Sequence, residues 1–255
     1  MGLLDGKRAL VIGVANRRSI AWAIARALSR EGAGLALTYQ GERLRKNVAE
    51  CAEQIPGTLL LPLDATEDDQ IEAVYARLGE EWGQLDILIH SIAFAPRDEL
   101  KGRFVDTSRD GFRTALEISA YSLVAVTKPA LALMTEGGSI IAMTYLGSER
   151  VFPGYNVMGV AKAALEACVR YLAADLGPQN IRVNAISAGP IKTLAAAGVS
   201  GFTDFAREHA EHAPLRRPTT AEEVGDTAVY LASELSRGVT GEIIFVDEGH
   251  HVLGI

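Results

Sequence analysis

Cysteine is scarce. Cys51 and Cys168 are the only two in 255 residues, too few for a disulfide framework. Both fall in helix-like segments, where a thiol acts as a small apolar group, and free thiols suit a reducing compartment. No apolar run reaches the roughly 18 residues that a membrane-spanning helix needs. The stretch Met1–Arg8 mixes an acid with bases before any apolar run, unlike a secretory leader. A cytoplasmic protein without membrane contact is therefore expected. Bases are also short: 25 Lys+Arg against 32 Asp+Glu leave a net charge of −7, which argues against a nucleic-acid partner. Low-complexity tracts, fixed-period repeats and linkers are missing. A composition 48% hydrophobic and 22% charged excludes disorder, collagen and coiled coil. A chain of this length buries enough core to fold without a structural metal, and no metal site is expected.

What is present is an alternation. Seven short apolar runs, Arg8–Gly13, Leu35–Tyr39, Thr58–Leu63, Leu85–His90, Ser139–Thr144, Ile181–Ile186 and Ile243–Val246, read as strands buried on both faces. Amphipathic stripes lie between them: Ile20, Ala23, Ile24, Ala27 and Leu28; then Leu44, Val48 and Cys51; then Ile71, Val74 and Leu78. Gly32 and Gly34 punctuate the end of the first helix. Strand and helix repeating along the chain predict an α/β fold, a Rossmann-like, doubly wound parallel sheet of about seven strands with helices on both faces. One domain over residues 1–255 is the economical reading. The segment Ile191–Pro214, rich in Ala, Gly and Ser, interrupts the rhythm as a candidate substrate lid or a simple surface loop.

The G-x-G-x-x-G fingerprint of dinucleotide binding is also missing, because only Gly13 follows the first strand. The turn from Gly13 to Ser19 and Ile20 still presents free N–H groups and a helix dipole, which suit a pyrophosphate. A plain turn with Ser19 as helix cap is the alternative. Strand 2 ends at Gln40, where an acidic residue commonly holds the ribose hydroxyls. The Gln40 amide can bond both hydroxyls, and no base stands immediately beside it for a 2′-phosphate, so NADH/NAD is favoured over NADPH. Asp64, at the end of strand 3, can accept from an adenine amino group or cap the next helix.

Tyr155 and Lys162 are seven residues apart. In a helix that spacing is about 20° short of two turns and about 10 Å along the axis. A cofactor ribose fits between them. The ammonium would favour a partly ionised phenol, and the phenol could donate to a developing oxyanion. Alternatively Tyr155 packs as an aromatic and Lys162 is solvated. However, a lysine within Val160-Ala161-Lys162-Ala163-Ala164-Leu165 lies on an apolar face, where such residues are paired or functional.

These residues carry a resemblance along essentially the whole chain. Gly13-x5-Ser19-Ile20-Ala21, Gln40, Ser91-Ile92-Ala93-Phe94-Ala95, Tyr145 with Tyr155-x6-Lys162, and Ala188-Gly189-Pro190-Ile191-Lys192-Thr193 resemble the NADH-dependent enoyl-acyl-carrier-protein reductases of the short-chain dehydrogenase/reductase superfamily. The wider superfamily uses Tyr-x3-Lys with a serine, whereas Gly159 stands four residues after Tyr155. The resemblance implies reduction of a trans-2-enoyl thioester by NADH, the last step of fatty-acid elongation. It further implies that Tyr155 stabilises the enolate oxygen, Lys162 holds the nicotinamide ribose, and Tyr145 assists or lines the pocket. Gly13, Ser19, Ile20, Gln40, Asp64, Ala65, Ile92, Lys162, Ile191 and Thr193 would contact the cofactor. Ala95, Tyr145, Tyr155 and Met158 would border the acyl chain, under a mobile lid at Ala195–Phe205. The family is usually a homotetramer, and the apolar end His251-Val252-Leu253-Gly254-Ile255 suits an interface, or packs on its own domain.

One departure stands out. The family's lid often carries bases for an acidic acyl carrier, but Val199-Ser200-Gly201-Phe202-Thr203-Asp204 has none. A coenzyme A thioester is therefore an alternative carrier. The competing readings are a carbonyl or alcohol oxidoreductase, which requires the missing Tyr-x3-Lys, and a non-enzymatic dinucleotide sensor, which predicts loss of Tyr155 or Lys162.

Overall fold

The seven apolar runs form seven strands: β1 (Arg8–Ile12), β2 (Gly34–Tyr39), β3 (Leu59–Pro62), β4 (Ile87–His90), β5 (Gly138–Thr144), β6 (Ile181–Ala188) and β7 (Ile243–Val246). All pair in parallel in one sheet of order β3-β2-β1-β4-β5-β6-β7. This computed structural model describes residues 2–193 and 202–254. The register sets Val11 between Leu37 and Ile89, so β1 runs through the middle of the apolar layer. Burial on both faces holds for the inner strands. The edge strands β3 and β7 are largely half-exposed, because each has a neighbour on one side only.

Eight α-helices are formed among the described residues: α1 (Ile20–Arg30), α2 (Gly41–Ala52), α3 (Asp68–Trp82), α4 (Arg109–Leu116), α5 (Ser122–Ala130), α6 (Val157–Leu176), α7 (Phe202–His212) and α8 (Ala221–Ala232). The three predicted stripes face inward on α1, α2 and α3: Ile24 and Leu28, Val48 and Cys51, and Ile71, Val74 and Leu78 are buried. One face of the sheet packs against α1, α2 and α8, the other against α3, α5 and α6. Of the two glycines expected to end α1, only Gly32 turns the chain, with φ +97°. Gly34 is already the first residue of β2, because its N–H donates to the Lys7 carbonyl and starts the ladder.

A π-turn over Glu117–Tyr121 joins α4 to α5. Its wider turn places Ser119 fully inside the protein, and π-turns of this kind recur at functional sites. No helix among the described residues is long and apolar enough to cross a membrane. Among the same residues no group of three or more His, Cys, Asp or Glu side chains could hold a metal.

Candidate active site

In a parallel sheet, ligands collect beyond the C-terminal strand ends where the strand order reverses. Here the reversal lies between β1 and β4. Gly13 leaves β1 with φ +108°, and a Cβ on it would sit 2.1 Å from the Ser91 carbonyl oxygen. Only glycine allows that approach of the β1 and β4 loops.

The chain then turns into α1. Ser19 is the cap residue by position, but its hydroxyl does not cap the helix amides. It donates to the Asn16 carbonyl at 2.6 Å and accepts from the Ala15 N–H at 3.4 Å, closing the loop on itself. That leaves α1's first amides free of a side-chain partner. Beside them is a cleft of about 280 Å³ lined by Arg17, Arg18, Ser19, Ile191, Lys192 and Thr219. A fourth base of the lining, Arg26, pairs with Glu222 at 2.7 Å; Arg17, Arg18, Lys192 and the dipole of α1 suit a polyanion. Ile20 and Ile191 both pack on the α1 side of the core, so four of the expected cofactor residues, Gly13, Ser19, Ile20 and Ile191, converge here. Thr193 closes the described segment nearby in sequence.

At the other end of the crevice, Gln40 and Asp64 meet. The Gln40 Nε2 donates to Asp64 Oδ2 at 2.9 Å. Asp64 does not cap α3, whose cap position is Glu67. Its Oδ1 instead accepts from the Thr66 N–H and hydroxyl at 3.0 and 2.8 Å. Burial works to raise the Asp64 pKa, but the bonds from Gln40 and Thr66 outweigh it and hold the carboxyl below its ordinary value. Ala65 follows, half-buried. From β2 to β5 is three strand spacings, on the order of 14 Å, a span for a dinucleotide rather than a single nucleotide.

The end of β5 carries the candidate chemical centre. Tyr145 follows β5, and its ring meets that of Tyr155 edge-on at 5.0 Å and 71°. Tyr155 is not in a helix with Lys162. It lies in the turn before α6, which starts at Val157 after Asn156 with φ +42°. Pro153 and the left-handed Gly154 interrupt any earlier helix, so the two-turn geometry expected from the spacing does not apply. Lys162 is on α6, buried, and its Nζ donates to the Met143 carbonyl at 2.7 Å. An ammonium has three donors, so two remain for a ligand.

Two glycines shape this centre. A Cβ on Gly147 would stand 2.5 Å from Cδ1 of Tyr155, and one on Gly159 would stand 2.6 Å from the Gly147 carbonyl oxygen. The position four residues after Tyr155 therefore faces backbone and has no room for the lysine of a Tyr-x3-Lys site.

The loop after β4 is pinned from the opposite side. Ser119 Oγ bonds both the N–H and the carbonyl of Phe94, at 2.9 and 3.0 Å, and lies 3.8 Å from the Met158 sulfur. Ala95 packs with Val157 and Ala161 of α6, and Ile92 against the α3, α5 and α6 core. Ala95 and Met158 thereby flank the same helix start.

Electrostatics correct one expectation. Tyr155 keeps part of its surface exposed, yet burial, aided by the Glu166 charge, pushes its phenol well above the usual tyrosine range. It is a neutral donor, not a partly ionised phenol, because burial disfavours the phenolate and the Glu166 charge acts in the same direction. Burial pushes Tyr145 up as well. Lys162 is lowered to about 8 by burial, against the opposing pull of Glu166.

Several neighbours were not foreseen. Phe152 packs on Tyr145 at 5.2 Å and on Phe205 of α7 at 5.5 Å. From Phe205 the contacts continue to His209 and then to His250, whose imidazoles stack at 4.2 Å. Both Nδ1 atoms are buried without a hydrogen-bond partner. Glu166 is buried one turn beyond Lys162. The reasoning applied to Lys162, a charge on an apolar helix face, would have found Glu166; sequence separation conceals the His209–His250 contact. Residues 194–201 of the expected lid lie outside the described residues, and its last part begins α7.

The sequence pattern described as Enoyl-(Acyl carrier protein) reductase matches residues 13–251. The chain is 60% identical to the NADH-dependent enoyl-[acyl-carrier-protein] reductase of Bacillus cereus, over the full length of both. The Bacillus cereus enoyl-acyl carrier protein reductase solved with NADP+ and an indole naphthyridinone superposes with a TM-score of 0.98 over the whole of both chains. The Anaplasma phagocytophilum enzyme solved with NAD is 50% identical, with a TM-score of 0.96 over 100% of this chain and 97% of that one.

Proposed function

The chain belongs to the enoyl-(acyl carrier protein) reductase family, and on that footing we propose that it reduces the trans-2 double bond of an enoyl thioester with NADH, as the last step of fatty-acid elongation. The observation that carries the assignment of roles is the arrangement at the end of β5. Tyr155 stands edge-on to Tyr145, Lys162 is buried with donors to spare, and Gly159 has no room for the alternative lysine.

NADH, when bound, supplies a hydride to the β-carbon of the substrate. Gly13, Ser19, Ile20 and Ile191 would hold its pyrophosphate end, with Thr193. Gln40, Asp64 and Ala65 would hold its adenosine, and Ile92 and Lys162 its nicotinamide end. The steric cradle at Gly13, the unclaimed bases of the cleft and the spare Lys162 donors all fit such a group.

Tyr155, kept neutral by burial, donates a hydrogen bond to the thioester oxygen as it gains enolate charge. Tyr145 fixes the Tyr155 ring and lines the pocket. Ala95 and Met158 border the acyl chain, beneath a lid drawn from residues 191–214 of a single domain that spans 1–255. A cytoplasmic site suits its free thiols. The substrate is carried on acyl carrier protein or coenzyme A.

A homotetramer is part of the same reading. A groove of about 680 Å³ along α4 and α5 has an apolar floor with Phe112, Leu116 and Val124, flanked by Arg109, Arg113 and Glu117, and Tyr171 on α6 is 81% exposed. Apolar surface of this kind marks an interface.

The test is NADH oxidation followed by absorbance with crotonyl and longer enoyl thioesters beside ketone controls. Turnover of the thioesters supports the proposal, and turnover of ketones alone overturns it. Light scattering during gel filtration tests the tetramer.

A further inference from the structure

Glu166 is a carboxylate sealed in the core that takes no part in the steps above. It is 5% exposed, and its Oε1 accepts from the Thr144 hydroxyl at 2.6 Å. Lys162, one helical turn earlier on α6, is 6% exposed and donates to the Met143 carbonyl at 2.7 Å. Met143 and Thr144 are consecutive at the end of β5. Consecutive residues of one strand end thus anchor Lys162 and Glu166, which stand one helical turn apart on α6.

Each burial is unfavourable alone. A carboxylate out of water is strongly unfavourable unless it is compensated, and one neutral hydroxyl compensates little. An ammonium out of water reverts to the amine unless an opposite charge is near. We propose that Glu166 is a positioning residue for cofactor binding: its buried negative charge keeps Lys162 an ammonium, able to donate to the ribose hydroxyls, across the neutral pH range. The proposal rests on the reading that Lys162 holds the nicotinamide ribose.

The other groups around the pair leave Glu166 as the counter-charge. His90 of β4 is fully buried, and its Nε2 lies 2.7 Å from the Ser122 hydroxyl. That hydroxyl donates its proton to the Ile118 carbonyl at 2.6 Å, so Nε2 must be the donor and Nδ1 the bare nitrogen, which has no partner. Burial, then the Lys162 charge, lower the His90 pKa to about 3, so it adds no second cation. Tyr155, in the turn before α6, and Tyr145, after β5, are both raised by burial and stay neutral. Glu166 is thus the charge that opposes the effect of burial on Lys162, whose pKa is about 8. The sign follows: the side chain is an ammonium below that value and an amine above it. Removing the Glu166 charge moves the change downward, into the neutral range.

The test is NADH affinity by cofactor fluorescence across pH, with no turnover required. Wild-type affinity is expected to fall as pH rises through about 8. In Glu166→Gln the fall is expected about one pH unit earlier, giving about tenfold weaker binding on the alkaline side and equal binding at mildly acidic pH. Adding Lys162→Arg, which stays charged throughout, should remove the pH dependence. Weakening by one factor at every pH would mean a merely structural role and overturns the proposal. If Glu166→Gln does not fold, Thr144→Val removes the hydrogen bond to the carboxylate; a smaller shift in the same direction is expected, and an unshifted profile overturns the proposal. Lys162→Ala separates the two readings. If it binds NADH as tightly as wild type, the cofactor role of Lys162 falls; if it binds weakly while Glu166→Gln shows no shift, only the present proposal falls.

Discussion

Gly147 holds the ring of Tyr155 by having no side chain: a Cβ there would stand 2.5 Å from Cδ1 of Tyr155 and 3.0 Å from Cδ1 of Tyr145. Ordinary contact needs about 1 Å more. Gly147→Ala should therefore displace the phenol from the position in which, on the proposed mechanism, it would donate to the enolate oxygen. A shift of that size costs up to about 100-fold in rate. Cofactor affinity should be unchanged, because Lys162 is anchored independently on Met143. Steady-state kinetics with an enoyl thioester, beside NADH titration, test this. Unchanged turnover would mean that the ring is not positioned by this contact.

Gln40 and Asp64 make a second such pair. The Gln40 Nε2 is committed to Asp64 at 2.9 Å, which leaves Oε1 facing away from that bond and free to accept ribose hydroxyls. If the adenosine lies here as proposed, the carboxylate also sets a negative charge where a 2′-phosphate would arrive. Asp64→Asn is expected to weaken NADH about fivefold, through loss of one charge-assisted hydrogen bond at a partly exposed site, and to narrow the preference against NADPH. Fluorescence titration with both cofactors measures it. A parallel loss for both, with the preference intact, would show that Asp64 takes no part in discrimination.

How much of this was legible beforehand differs between fold and site. Seven strands follow from apolar runs such as Leu10–Ile12 and Ile140–Ala142, and their parallel pairing from the helical stripes between them, because period and burial are local properties of sequence. Residues at strand ends, such as Gly13 and Gln40, are legible for the same reason, since the fold makes those ends the ligand edge. Tyr155 and Lys162 do not share the helix their spacing allows, because Asn156, at φ +42°, breaks the chain where spacing alone shows no break. The protonated state of Tyr155 follows from burial among residues distant in sequence. The contacts Phe152–Phe205 and His209–His250 join segments tens of residues apart, and no local pattern announces them.

The stacked His209 and His250 make acid stability a property of α7. His209 is 4% exposed and lowered to about 4 by burial and by the nearby His250, with Asp247 pulling the other way. In an unfolded chain it titrates near 6.5. The unfolded state therefore takes up the proton first, so stability falls as pH drops from about 6.5 to about 4. The loss is on the order of 3 kcal/mol when complete. His90, lowered to about 3, adds to the same limb from about 6.5 downward and extends it to about 3. Hydrogen exchange in α7 should rise on acidification before the sheet responds, and His209→Phe should flatten the first part of the limb. Equal acid sensitivity in that variant would remove His209 as the cause.

The bases near α7 are already engaged, and this bears on the carrier. Arg207 lies 3.2 Å from Asp204 and 3.9 Å from Glu211. Arg217 is held between Glu223 and Glu248, at 2.6 and 3.0 Å, and Arg216 donates to the Glu211 carbonyl. With a net charge of −7, the enzyme meets an acidic carrier with little local attraction. Raising salt screens charges beyond about 10 Å, so it should leave KM for a carrier-linked enoyl substrate flat or slightly lower, where a basic docking patch would raise it. Placing a base on exposed Thr203, as Thr203→Lys, should lower that KM by about threefold at low salt, with no change for the crotonyl coenzyme A substrate beyond its own charge response. Kinetics of both substrates across ionic strength distinguish the cases. A carrier KM that rises steeply with salt in the unmodified enzyme would mean that a basic docking surface exists elsewhere on the molecule.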